Sequence, residues 1–224
     1  MVRKSERRSR NIMRAWKIAL HEAGHCVASH FLRGGADCIL VDQDKRSLGG
    51  GIGGSCVPVS GWRASINAAS PLDIEGLGKL LDDGVGIMAG LGAELLFNVY
   101  GNCEDEQSDL LQHILVQTNE DADFCGSDVD RHFQLSLRLQ EVFSQEGMKR
   151  RELGAFRKIV RGKDFSVISL NDAVSFLAPH RKSIREIAAV LAGKFSQSRD
   201  GYGVMLPEEI APILGVPPDT MIGL

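Results

Sequence analysis

The chain has 224 residues, 43% of them hydrophobic, and a formal net charge of −3 at pH 7. That content suffices for one large core or two small ones. The near-neutral balance excludes a general polyanion binder, so no nucleic-acid partner is implied.

Residues 1–10 contain Arg3, Lys4, Arg7, Arg8 and Arg10, and read as a solvated basic N-terminal tail, with a weak anionic-partner site as the alternative. No apolar run follows those charges, so the segment is not a secretory signal. Residues 11–224 read as a single domain. From Asn11 to Arg33 the apolar residues Trp16, Ala19, Leu20, Ala23, Val27 and Phe31 recur at helical spacing, with Asn11 as N-cap and Gly34-Gly35 as the stop.

Cys38 to Val41 predicts a short strand. After a turn at 42–47 comes a glycine-rich stretch, Leu48 to Val59, with Gly49, Gly50, Gly51, Gly53 and Gly54. So much glycine suits an edge segment that another backbone approaches closely. Leu72 to Tyr100 predicts a buried helix, Leu110 to Thr118 and Val129 to Phe143 two more. Lys149 to Ser169 is basic and reads as irregular. Two last helices, Asp172 to Phe195 and Pro207 to Leu214, flank a polar turn at Ser196 to Gly203. The expected fold is mainly α (α+β), with a small β element beside the first helix.

Five cysteines, Cys26, Cys38, Cys56, Cys103 and Cys125, form no Cys-x-x-Cys pair. An odd number so spaced argues against disulfides and against a thiolate metal site. Free thiols in a reducing, cytoplasmic compartment are the expectation. No stretch approaches the ~20 apolar residues of a membrane helix, so no membrane partner is expected.

The chemistry-bearing run is His21-Glu22-Ala23-Gly24-His25. On a helix, residues four apart share a face, so both imidazoles can bind one Zn2+. Glu22 lies ~100° around the helix from His21, beside the open coordination position, where it can act as general base on a metal-bound water. Glycine inside a helix costs roughly 1 kcal/mol relative to alanine. Gly24 therefore predicts a neighbouring element packed closely against the motif. The other histidines, His30, His113, His132 and His180, lack partners at ligand spacing and read as structural or surface residues. The stripe Ile184, Ile187, Ala188 and Leu191 reads as core.

His-Glu-Ala-Gly-His-Cys, residues 21–26, resembles the motif of the FtsH-type ATP-dependent zinc metalloproteases, whose helix reads HEAGHA. Other segments resemble that peptidase domain in register. Leu48-Gly49-Gly50 stands where the family has its substrate-side strand, and Ala89 to Glu94 resembles its GGRxAEE helix. Gly126-Ser127-Asp128-Val129 resembles the GASNDL segment, and 203–209 resembles a late helix start. The resemblance implies Asp128 as the third zinc ligand, with Asp130, Glu94 and Asp123 as alternatives, Glu94 also as an acceptor for a ligand histidine's N–H. It implies Gly49, Gly50 and Gly51 as substrate-binding residues. The sequence shows no Gly-x-x-x-x-Gly-Lys phosphate loop. The expected activity is thus a free-standing zinc endopeptidase acting on unfolded or flexible polypeptide. Self-association and a separate ATPase partner stay open, as do a protease dedicated to one partner protein and a non-catalytic zinc-binding scaffold.

Overall fold

The structure is a computed structural model that describes residues 2–42, 52–58, 74–99, 128, 131, 132, 135–137 and 165–215. It is mainly helical with one small antiparallel sheet, as the sequence predicts. In order come α1 (Val2–Arg33), β1 (Ala36–Asp42), β2 (Ile52–Pro58), α2 (Ile74–Leu96) and α3 (Phe165–Leu177). A 3-10 turn (Ala178–His180), α4 (Arg181–Gln197), β3 (Tyr202–Met205) and α5 (Pro207–Leu214) complete the chain. Asp128, Arg131, His132 and residues 135–137 are also helical.

The helix α1 is the axis of the fold. It packs against α2, α4 and the sheet, and α2 packs against α3. Its Ala15, Ile18, Ala19, Ala23, Cys26 and Val27 are buried in one core with Leu40 of β1 and with Ile184, Ile187, Ala188 and Leu191 of α4. The last four form the stripe that the sequence assigns to the core. Gly34 ends α1 with φ +80°, a left-handed geometry that favours glycine. Inside α1, Gly24 meets α2 as its cost suggests. A β-carbon there would collide with the Ala89 carbonyl oxygen and lie 2.7 Å from the Ala93 β-carbon.

The strand order is β2-β1-β3, antiparallel throughout, with Leu40 opposite Gly54 on one side and Gly203 on the other. Among the described strands the glycine-containing β2 thus lies at an edge, as its composition suggests. Cys38, Leu40 and Met205 are buried among the helices, which follows from the two-residue side-chain period of the strands. Cys26, Cys38 and Cys56 are free thiols; Cys103 and Cys125 lie outside the described residues. No helix among the described residues is long and apolar enough to cross a membrane.

Four expectations are corrected. The helix α1 begins at Val2 and not at Asn11, so the basic segment forms the first turns of the helix that carries His21 and His25 rather than a separate tail. The expected helix from Asp172 to Phe195 is two helices. Pro179 lacks an N–H, and proline disfavours α geometry in the residue before it, so a 3-10 turn separates α3 from α4. Residues 165–169, expected to be irregular, open α3. The end of the polar turn at Ser196 to Gly203 enters β3, paired to β1 from Tyr202. The helix expected from Leu110 to Thr118 lies outside the described residues, as do Gly49, Gly50 and Gly51.

Candidate metal centre

The motif lies mid-way along α1, where the helix is covered by α2 on one side and by the sheet on another. His21, Glu22 and His25 are each 8% exposed or less. Their burial is what makes the arrangement informative, because buried imidazoles and carboxylates must find partners.

Each histidine is anchored through its Nδ1. That of His21 lies 2.7 Å from Glu94 Oε1, and that of His25 lies 2.9 Å from the Gly86 carbonyl oxygen. Both partners belong to α2. A carbonyl and a carboxylate can only accept, so each Nδ1 carries the hydrogen and donates it, and each Nε2 is left with a lone pair. The two Nε2 atoms are 3.1 Å apart, and Asp128 Oδ2 lies 3.0 Å from that of His21 and 2.9 Å from that of His25. Three acceptor atoms thus form a triangle with sides near 3 Å. Lone pairs so close repel one another unless a cation or a proton lies among them.

The titration behaviour agrees. Burial pulls the His25 imidazole down, but the adjoining Asp128 carboxylate more than offsets this and its pKa is raised. Burial raises Asp128, yet His25 and His21 hold it far below the usual carboxylate range. These groups favour positive charge at their common centre.

The donor set fits a metal. Ligands bound at about 2.0–2.1 Å in a tetrahedron lie ~3.4 Å apart, so the triangle need widen by only a few tenths of an ångström. Gly90 of α2 lets both rings pack against its backbone: a β-carbon there would lie 2.5 Å from His25 Nε2 and equally close to the ring of His21. His21, His25 and Asp128 could therefore hold a metal ion.

Glu22 projects beside the triangle and not into it. Its Oε2 is buried and has no hydrogen-bond partner among the described residues. Burial pushes its pKa up to about 7, against the pull of His21 and His25. The backbone of β2 presses on it, since a β-carbon at Gly54 would lie 2.6 Å from Glu22 Cγ. A cleft opens here, lined by Glu22 and His25, by residues 54–56 of β2, by Gly86 and by Asp128 with Arg131. Arg131 Nη1 reaches Asp128 Oδ1 at 3.5 Å.

The structure thus brings together His21, Glu22, His25 and Asp128, four residues taken from the sequence. Glu94, an alternative third ligand, instead accepts the His21 N–H from behind. Asp130 and Asp123 lie outside the described residues. Sequence reasoning missed Arg131, although its place three residues after Asp128 on a helix puts both on one face. It also missed the Gly86 carbonyl, which no side-chain pattern reveals. The other described histidines have other partners: His30 Nε2 donates to the Gly215 carbonyl at 2.9 Å, and His132 and His180 stack on Phe165 and Phe31. No protein-family model and no curated protein matches this chain.

Proposed function

We propose that the protein is a zinc metalloendopeptidase that hydrolyses peptide bonds in unfolded or flexible polypeptide. The observation that carries this reading is the buried Glu22 Oε2, without a hydrogen-bond partner among the described residues, in one cleft with a three-acceptor triangle that could hold a metal. A scaffold that only bound metal would gain nothing from leaving that group desolvated.

His21 and His25 would hold Zn2+ through Nε2 and Asp128 through Oδ2, a donor set that suits this ion. Bound there, the ion would supply Lewis acidity for the scissile carbonyl and for deprotonation of water near neutral pH. Glu94 and Gly86 keep both imidazoles in the tautomer that presents a lone pair, and fix their ring planes. Glu22 Oε2 takes the proton of the attacking water and returns it to the departing amine. Burial strengthens the hold of this carboxylate on a proton, which suits a group that takes one up and gives it back.

The sheet supports the choice of substrate. No described strand pairs with the outer edge of β2, whose residues 54–56 line the cleft. An extended peptide can pair there through its main chain, which requires that it be unfolded beforehand. Stable domains would need a separate ATPase to unfold them. The likeness of residues 21–26 and 126–129 to the FtsH-type peptidases supports the same reading, and the free thiols support a cytoplasmic setting.

Incubating the zinc-loaded protein with a stable domain and with a destabilised mutant of that domain tests this. Cleavage of the mutant alone, lost on chelation and restored by zinc, is expected. Full zinc occupancy without cleavage of any unfolded substrate would sink the reading in favour of a non-catalytic scaffold.

A further inference from the structure

We infer that Arg131 is a substrate-recognition residue that binds a carboxylate of the peptide beside the scissile bond. The inference takes the identity of the ligand as a peptide from the peptidase reading, and the rest from the cleft itself.

Arg131 is the only arginine or lysine among the described residues that line the cleft. Half of its side chain is exposed, at 52%. Its one ion pair among the described residues is to Asp128 Oδ1, at 3.5 Å, beyond the distance of a good N–H···O bond. The acid it faces is already engaged, because both histidines converge on the other oxygen of Asp128. An exposed contact so long contributes little. A guanidinium has five N–H donors in a planar fork, and this contact uses one at most. The remaining donors sit at the mouth of a cleft whose other titratable groups are Glu22, His25, Cys56 and Asp128.

A role in shaping Asp128 alone does not need this placement. Asp128 Oδ2 already faces both buried imidazoles, at 3.0 and 2.9 Å, while the Arg131 side chain is half exposed. A peptide paired to β2 would run past residues 54–56, which line the same cleft. An acidic side chain next to the scissile bond, or a free C-terminal carboxylate, would meet the fork bidentately. Such a contact gives both affinity and geometric selectivity.

Binding separates this inference from the activity. The probes are blocked alanine-serine peptides carrying one Glu, moved residue by residue, each paired with its Gln counterpart. A second set carries no acid and has a free or amidated C-terminus. Affinity is measured on zinc-loaded Glu22→Gln, which should not turn the peptides over. At one position the Glu peptide should bind on the order of 10- to 100-fold more tightly than its Gln counterpart. Adding Arg131→Ala should erase that preference, and Arg131→Lys should keep part of it, with zinc content unchanged in both. A preference confined to the free C-terminus would assign the fork to a terminal carboxylate. Equal binding of all peptides, or loss of zinc from Arg131→Ala, would overturn the inference. A carboxylate preference in a protein that cleaves nothing would leave it standing and remove the peptidase reading.

Discussion

Two parts of α1 carry buried histidines and treat them in opposite ways. At His21 and His25 both rings are anchored through Nδ1 and their Nε2 atoms converge on a carboxylate. One turn beyond, His30 donates Nε2–H to a neutral carbonyl, that of Gly215, beside the aromatic ring of Phe31. Burial depresses the His30 pKa, and the Gly215 carbonyl only partly opposes it. At His25 the same burial is overcome by Asp128, so the shift is upward. Burial alone therefore makes a neutral, structural histidine. A metal site needs the convergence of further acceptors from elements distant in sequence.

On the peptidase reading, the largest expected effect comes from removing the proposed base beside His21 and His25. Glu22→Gln should lower peptide hydrolysis by about 10^2- to 10^4-fold while zinc stays bound, as steady-state rates and metal analysis would show. The same change should stabilise the metal-free protein. A carboxyl raised from 4.5 to about 7 costs stability as pH rises from its unfolded value through its folded one. At pH 8 the relief should be about 3 kcal/mol, measurable by denaturant unfolding, and it should vanish near pH 4.

Next come the acceptors that distinguish the two ends. Asp128→Ala should lower zinc affinity by more than 100-fold, because it removes one of three ligands. Glu94→Gln should lower it by about 10- to 100-fold through the tautomer of His21, and His30→Gln should leave it unchanged. Competition with a chromophoric chelator gives all three values. An equal loss in His30→Gln would erase the distinction between the ends.

Packing comes third. Gly24→Ala should gain roughly 1 kcal/mol of helix propensity yet destabilise by about 1–3 kcal/mol net, because its β-carbon meets the backbone of α2 at Ala89. Thermal unfolding of the zinc-free variant would show it.

The smallest effect is at His30. Its folded pKa lies below the unfolded value of 6.5, so the unfolded chain takes up the proton first. The stability from neutral His30 is complete above pH ~6.5 and is lost as pH falls towards the folded value. His180 shifts in the same direction, by burial and by its proximity to His30. The midpoint of thermal unfolding for His30→Gln should therefore depend less on pH between 7.5 and 5.5 than that of the parent.

What the sequence determined by itself were the features that local spacing encodes. Two histidines four apart on a helix share a face whatever surrounds them. Gly24 announces a close neighbour, because its cost within a helix must be offset by something. Glycines at 53 and 54 point to an edge strand, and α5 begins at Pro207, where a missing N–H costs nothing. Asp128 came from a resemblance rather than from spacing, since no local rule joins it to a motif 103 residues earlier. Tertiary structure decided the rest. Only the packing of α2 on α1 makes Glu94 an acceptor for His21 instead of a ligand, and brings a backbone carbonyl of Gly86 to His25. Only the pairing of β3 with β1 makes a strand of Tyr202–Met205, whose first two residues the sequence assigns to a polar turn. Whether a histidine on α1 is drawn towards charge or kept neutral depends on which acceptor the fold carries to it, and electrostatic convergence of that kind has no period along the chain.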